Sequence, residues 1–175
     1  MSLHHQGLAQ LARGRHVEAK ELLQQGLSLF DELSNKWGIS ATLYHLGQLA
    51  LVTGDRGRAR WCFDRSLSLI QGRGQRQLQA RALDGLGCLA VLEGDDGRAA
   101  RLFGAVEATA RTTPFQTSPF EQRNRARSEA LLRERLDPAV LDREWRAGRE
   151  MTGTEITDYA LIERHGSIER HGAVS

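Results

Sequence analysis

Residues 47–70 read GQLALVTGDRGRARWCFDRSLSLI, and stretches on the same plan flank them: GLAQLARGRHVEAKELLQQGLSLF from residue 7 and GCLAVLEGDDGRAARLFGAVEATA from residue 87. Gly7, Gly47 and Gly87 stand 40 residues apart, as do Gly14, Gly54 and Gly94, then Ala19, Ala59 and Ala99, and finally Leu23, Phe63 and Phe103. Several independent columns in one register define an internal repeat, whose units bury their apolar faces on one another.

Each unit reads as two helices. In the second unit Leu43, Leu46, Ala50 and Leu51 recur at helical spacing before Thr53-Gly54-Asp55, and Ala59, Cys62, Phe63, Ser66, Leu67 and Ile70 do so after it. Glycine supplies a left-handed stop, and the aspartate that follows can accept from the free N–H groups of the next helix. Glu93-Gly94-Asp95 repeats the device, whereas Arg13-Gly14-Arg15 keeps the glycine and loses the cap, so the first turn is expected to be the weakest. Gly47 and Gly87 fall inside the first helix of their units, where glycine costs about 1 kcal/mol relative to alanine. Close approach of the paired helix is the compensating factor. Ala59 and Ala99 are the expected facing residues, with Phe63 and Phe103 filling the layer between units.

The pattern Leu43, Leu46, Gly47, Ala50, Ala59, Phe63 and Ser66 resembles the signature of the tetratricopeptide repeat (TPR). It departs from that signature in three ways: Ala50 replaces the usual aromatic, no proline closes the units, and the period is longer than the family's usual one. Longer units, together with an ending through Phe103-Gly104-Ala105, Ala147-Gly148-Arg149 and Tyr159-Ala160-Leu161, are similar to the C-terminal helical-repeat region of bacterial STAND-ATPase and LuxR-type transcriptional regulators. The resemblance implies an all-α fold, a right-handed superhelical solenoid of three TPR-like helix pairs followed by C-terminal capping helices. It also implies a non-catalytic module of protein–protein interaction or effector sensing within a larger bacterial signalling regulator.

The expected organisation is three repeats over residues 1–111, a connector over 112–119, capping helices over 120–162 and a flexible tail over 163–175. Pro114 and Pro119 break the helical register. An arginine-rich helix from Phe120 to about Leu136 carries Ala126, Ala130 and Leu131 as its apolar stripe, with Glu121, Glu129 and Glu134 interleaved on a solvated face. Asp137-Pro138 is a helix start, with aspartate as cap and proline in the first turn. Leu141 and Trp145 share one face beyond it. A last short helix is expected from Thr154. The tail repeats Ile-Glu-Arg-His-Gly around His165 and His171, a spacing without the further ligands a metal site needs.

Composition narrows the function classes. The chain has 175 residues, 40% hydrophobic and 26% charged, with a net charge of +2 that argues against a strongly basic nucleic-acid surface. No stretch approaches the roughly 18 apolar residues of a membrane span, and no secretory leader opens the chain, so a cytoplasmic location is expected. Met1-Ser2-Leu3 precedes a helical pattern already in mid-stride, which suggests a piece of a longer protein. Cys62 and Cys88 fall in apolar helical segments and are expected to be buried, reduced thiols. Neither lysine, Lys20 or Lys36, ends a phosphate-binding loop, and Gly85-Leu86-Gly87-Cys88-Leu89-Ala90 matches a dinucleotide fingerprint only by letters, inside a helix. No catalytic, cofactor or metal residues are assigned.

In such a repeat the first helices of the units line the concave face. Transferred by register, the partner-binding candidates are His4, Leu8, Tyr44, Gln48, Arg81, Asp84 and Cys88, with Leu11, Leu51 and Val91 divided between this role and packing between units. Tyr44, Gln48, Arg81 and Asp84 stand out as polar groups on otherwise apolar helices, expected to face water or a ligand. The ligand would be a protein segment or small effector, with the parent protein's N-terminal domains as further partners. The alternative is direct nucleic-acid binding through the arginine-rich helix 121–135.

Overall fold

The computed structural model describes residues 3–72 and 74–162, with backbone alone for His4 and Ile162. The described chain is all-α: α1 (Leu3–Ala12), α2 (His16–Glu32), α3 (Lys36–Val52), α4 (Arg56–Ile70), α5 (Arg76–Glu93), α6 (Asp96–Thr112), α7 (Pro119–Arg135), α8 (Pro138–Glu150) and α9 (Gly153–Ile162). The expected tail 163–175, and with it both Ile-Glu-Arg-His-Gly motifs apart from Ile162, lies outside the described residues. Helices α1 and α2, α3 and α4, and α5 and α6 pack as sequential pairs, and each pair rests on the next through α2 against α3 and α4 against α5.

The turns inside the pairs follow the glycine-aspartate chemistry. Gly14, Gly54 and Gly94 adopt φ of +73°, +81° and +80°, a region that only glycine enters without steric cost. Asp55 then accepts from the Arg58 N–H at 2.9 Å, and Asp95 from the Arg98 N–H at 3.3 Å. Arg15 occupies the same place, with φ −85° and ψ 76° against −82° and 79° at Asp55, but makes no side-chain cap bond.

Between pairs the decisive residue is Phe63, which is fully buried. A Cβ placed on Gly47 would lie 2.6 Å from its ring, and one placed on Gly85 of the next pair 2.5 Å. The ring therefore occupies the space that two missing side chains leave, which explains why these helices carry glycine despite its conformational cost. Phe103 repeats the arrangement on one side, against Gly87 at 2.4 Å. On its other side, where a further repeat would stand, it meets Trp145 of α8 with ring centroids 6.0 Å apart.

The C-terminal helices cover the last pair from different directions. α8 crosses α6 backbone to backbone at Gly104 and Gly148, where a Cβ on Gly148 would fall 1.8 Å from the Arg101 carbonyl oxygen. Its start is the aspartate-proline cap: Asp137 accepts from the Ala139 N–H at 2.8 Å. α9 begins at Gly153, and its cap is Thr152 rather than a residue at 154. Glu155 donates its N–H to the Thr152 hydroxyl, and its carboxylate accepts from the Thr152 N–H. Ile156 and Ala160 of α9 are buried in the main apolar cluster with Phe63, Leu83 and Leu102. Among the described residues no helix is long and apolar enough to cross a membrane.

Candidate functional site

The first helices of the pairs, α1, α3 and α5, touch one another and form a floor. Tyr44 and Gln48 of α3 and Asp84 and Cys88 of α5 lie on it. They are not open to solvent: relative exposures are 1%, 2%, 7% and 5%. Tyr44, Gln48 and Asp84, expected to face water or a ligand, are instead buried, whereas Cys88 is buried as its apolar setting implies. The connector 113–118 and α7 lie over them, and the groove is occupied by the chain itself.

The contacts are polar and specific. The Tyr44 hydroxyl donates to the Glu121 carboxylate, and Gln48 Nε2 donates to the Tyr44 oxygen at 3.0 Å. Arg125 pairs with Asp84, donates to Glu129 at 2.7 Å, and places its guanidinium 3.8 Å from the Phe103 ring centroid. Ser128, buried on α7, lies against Cys88 and partly offsets the effect of burial on its thiol. Leu132, fully buried, closes the apolar end of the contact beside Val91 and Ala99. Glu121, Arg125, Ser128 and Leu132 are spaced to fall on one helical face, and Glu121 is held in place by a capping box with Ser118.

The buried face of α7 is thus not the one its apolar residues mark. Ala126 and Ala130 are exposed and Leu131 is half-buried, while Glu121, set among the solvated glutamates by its sequence context, is 5% exposed. The reason is non-local: the floor beneath offers a hydroxyl, a carboxylate and a thiol, and a polar face satisfies them where an apolar one would leave them unpaired. A sequence signal existed in the spacing of Glu121, Arg125 and Ser128, opposite Tyr44, Asp84 and Cys88.

Burial sets the electrostatics. Desolvation, followed by the Glu121 and Asp84 carboxylates, pushes the Tyr44 hydroxyl well above its ordinary range. Desolvation also raises Asp84, against the opposing pull of Arg125. The Cys62 thiol is pushed up to about 11 and the Cys88 thiol to about 12, chiefly by burial, so both stay protonated at neutral pH. Both are free and buried, as their apolar helical settings imply.

Part of the groove remains open. A cavity of about 280 Å³ lies between α1, α3, α5 and the connector, lined by Leu8, Leu11, His45, Gln48, Arg81, Thr117, Phe120 and Glu121. Leu8 and Arg81 are half-buried there. The Arg81 guanidinium donates to the Gln116 carbonyl and sits 5.9 Å from the Tyr44 ring centroid. Gln48 Oε1 is buried without a hydrogen-bond partner among the described residues. The structure therefore separates the candidates: Leu8, Gln48 and Arg81 line a cavity, Tyr44, Asp84 and Cys88 lie beneath α7, and the side chain of His4 lies outside what is described. Leu11 and Val91 are buried and Leu51 is half-buried.

The arginines of α7 are largely engaged within the fold. Arg125 serves Asp84, Arg133 pairs with Glu129 at 2.9 Å, and Arg135 reaches Asp96 at 3.3 Å and the Val91 carbonyl at 3.1 Å. Arg123 and Arg127 are exposed. Compared with protein-family models, with curated proteins and with solved structures, the chain matches none.

Proposed function

We propose that the chain is a TPR-like, right-handed solenoid of three helix pairs with C-terminal capping helices. It acts as a non-catalytic interaction or effector-sensing module of a larger bacterial signalling or transcriptional regulator. The 40-residue register of Gly7, Gly47 and Gly87 and the sequential pairing of α1 to α6 support the architecture. The observation that carries the binding reading is the cavity of about 280 Å³ over the first helices, where apolar walls from Leu8, Leu11 and Phe120 surround Arg81 and the unsatisfied Gln48 Oε1. A mostly apolar hollow with a few convergent polar groups is the usual form of a recognition site.

The test is a selection of random twelve-residue peptides against the full chain, followed by titration of the selected binders. Leu8→Asp and Arg81→Glu are expected to weaken them at least tenfold, while Trp61→Ala, on an exposed position of α4, leaves them unchanged. Binders indifferent to both cavity substitutions, or no binders at all, would contradict the reading.

A further inference from the structure

The junction between the first and second helix pairs and that between the second and third are built on one register, yet they differ at one charge. In the second junction Arg60 of α4 pairs with Glu93 at the end of α5. The places 40 residues earlier hold Lys20 of α2 and Thr53. The other charges are kept: Arg58 stands where Arg98 stands, and Asp55 where Asp95 stands, each aspartate capping the helix that follows. The first junction therefore lacks one carboxylate, that of Glu93. Thr53 is no substitute, since its hydroxyl donates to the Leu49 carbonyl of its own helix at 3.0 Å. No ion pair of Lys20 occurs among the described residues. Where the bridge is missing lies a cavity of about 310 Å³. Its buried walls are apolar, from Leu46, Leu49 and Ala50, and its exposed rim carries Lys20 and Arg58. Val17, 69% exposed, stands on the same rim in a column that holds glycine in the other two units, at Gly57 and Gly97.

We propose that this junction binds a small amphipathic carboxylate, a free acid on an aliphatic or aromatic body. Its anionic end takes the place of the Glu93 carboxylate beside Lys20, and its body covers Val17 and the leucine wall. The charge balance selects an anion: Lys20 and Arg58 are two cations against the single carboxylate of Asp55, which already accepts from the Arg58 N–H. An exposed lysine pair contributes little by itself, so apolar contact has to supply most of the affinity. That requirement selects an acid with a hydrocarbon body over an inorganic anion. A ligand seated there joins α2 to α3 and α4 as the Arg60–Glu93 pair joins the next two helix pairs. The site shares no lining residue with the cavity over α1, α3 and α5 and goes beyond the function proposed for that cavity.

The probe is octanoate, titrated into the full chain with the leucine and valine methyl groups observed by NMR. Saturable shifts at Val17, Leu46 and Leu49 are expected in about the millimolar range or below. Octanamide, alike in shape but uncharged, should bind at least tenfold more weakly. Lys20→Glu should weaken octanoate at least tenfold, and so should Thr53→Glu, which supplies the missing carboxylate from the chain itself. Both positions are exposed, so circular dichroism should stay native. Equal affinity for octanoate and octanamide overturns the proposal on the native chain alone, with no variant needed. So does the absence of saturable shifts at these methyl groups. Binding of acetyl-Leu-Glu-Leu-amide at least tenfold tighter than octanoate overturns it too, by assigning the junction to an acidic segment of a protein partner. Failure here leaves the cavity reading intact if selected peptides still depend on Leu8 and Arg81.

Discussion

Phe63 is confined from both sides. Its ring fills the hollow above Gly47 and the hollow above Gly85 at once, so a methyl group added at either glycine cannot be accommodated by moving the ring toward the other. Gly47→Ala is expected to cost about 1–3 kcal/mol in urea unfolding, the usual range for overpacking. Gly57→Ala, in the first turn of α4 with only Asp55 Oδ1 nearby at 3.9 Å, should be neutral or gain up to about 1 kcal/mol from helix propensity. The Arg15 turn offers a gain of function in stability: its backbone already matches that of Asp55, so Arg15→Asp should add about 1 kcal/mol by supplying the missing cap. At Asp84 the two partners of one ion pair are expected to behave unequally. Arg125→Ala leaves a buried carboxylate and should cost about 3 kcal/mol. Asp84→Asn removes the charge whose burial is unfavourable and keeps an acceptor for Arg125, so it should cost clearly less. Because burial raises Asp84 above its ordinary range, its ionised form detracts from stability as pH rises through the folded-state value, and the stabilising side lies below it. The cost of Asp84→Asn should therefore be smallest at neutral pH and grow on acidification; the reverse trend would contradict this account of the site.

Among the elements, α8 and α7 are docked by opposite means. α8 lies against α6 through glycine contacts, with Trp145 donating to Glu107 and Arg101 pairing with Glu144. The Trp145 hydrogen bond, with help from Arg111 and Arg149, holds Glu107 below the ordinary carboxylate range. Glu144, though burial opposes it, is lowered by Arg101 and Arg143. Depressed carboxylates contribute stability above their unfolded-state values and lose it as pH falls through the folded ones. In a chain carrying Trp37→Phe and Trp61→Phe, the remaining Trp145 fluorescence should shift red on acidification below the ordinary glutamate range, before the far-UV signal of the whole helix set is lost. Coincident transitions would contradict this account of how α8 is docked. The helices and their turns were legible in the sequence because they are local: glycine, aspartate and the 40-residue columns sit within one unit. The face of α7 was not. Its apolar residues Ala126 and Ala130 point outward because the partner surface, drawn from residues some 35–80 positions earlier, is polar. Of the candidate site, the register located Leu8, Gln48 and Arg81 on the open cavity. It could not reveal that Tyr44, Asp84 and Cys88 would be covered, since the covering segment belongs to a different part of the chain.

At the scale of the whole molecule, three helix pairs present one row of first helices, and the chain's own C-terminal segment lies across it. Arginine-rich as it is, α7 directs Arg125, Arg133 and Arg135 into ion pairs, although Arg133 and Arg135, like Arg123 and Arg127, are exposed. A labelled twenty-base-pair DNA should accordingly show no saturable binding at 50 mM salt; tight binding that weakens steeply with salt would favour a nucleic-acid interface instead. The central claim, that α7 is what shields the groove floor, is tested most directly by the two cysteines. Cys88 lies under Ser128 of α7, whereas Cys62 is buried with Leu23, Leu43 and Leu46 away from it. Thiol labelling of the native chain should be slow at both. With Arg125→Ala and Leu132→Ala together, Cys88 should react at least tenfold faster while Cys62 keeps its native rate. Equal acceleration of both thiols, or a Cys88 that already reacts freely in the native chain, would contradict it.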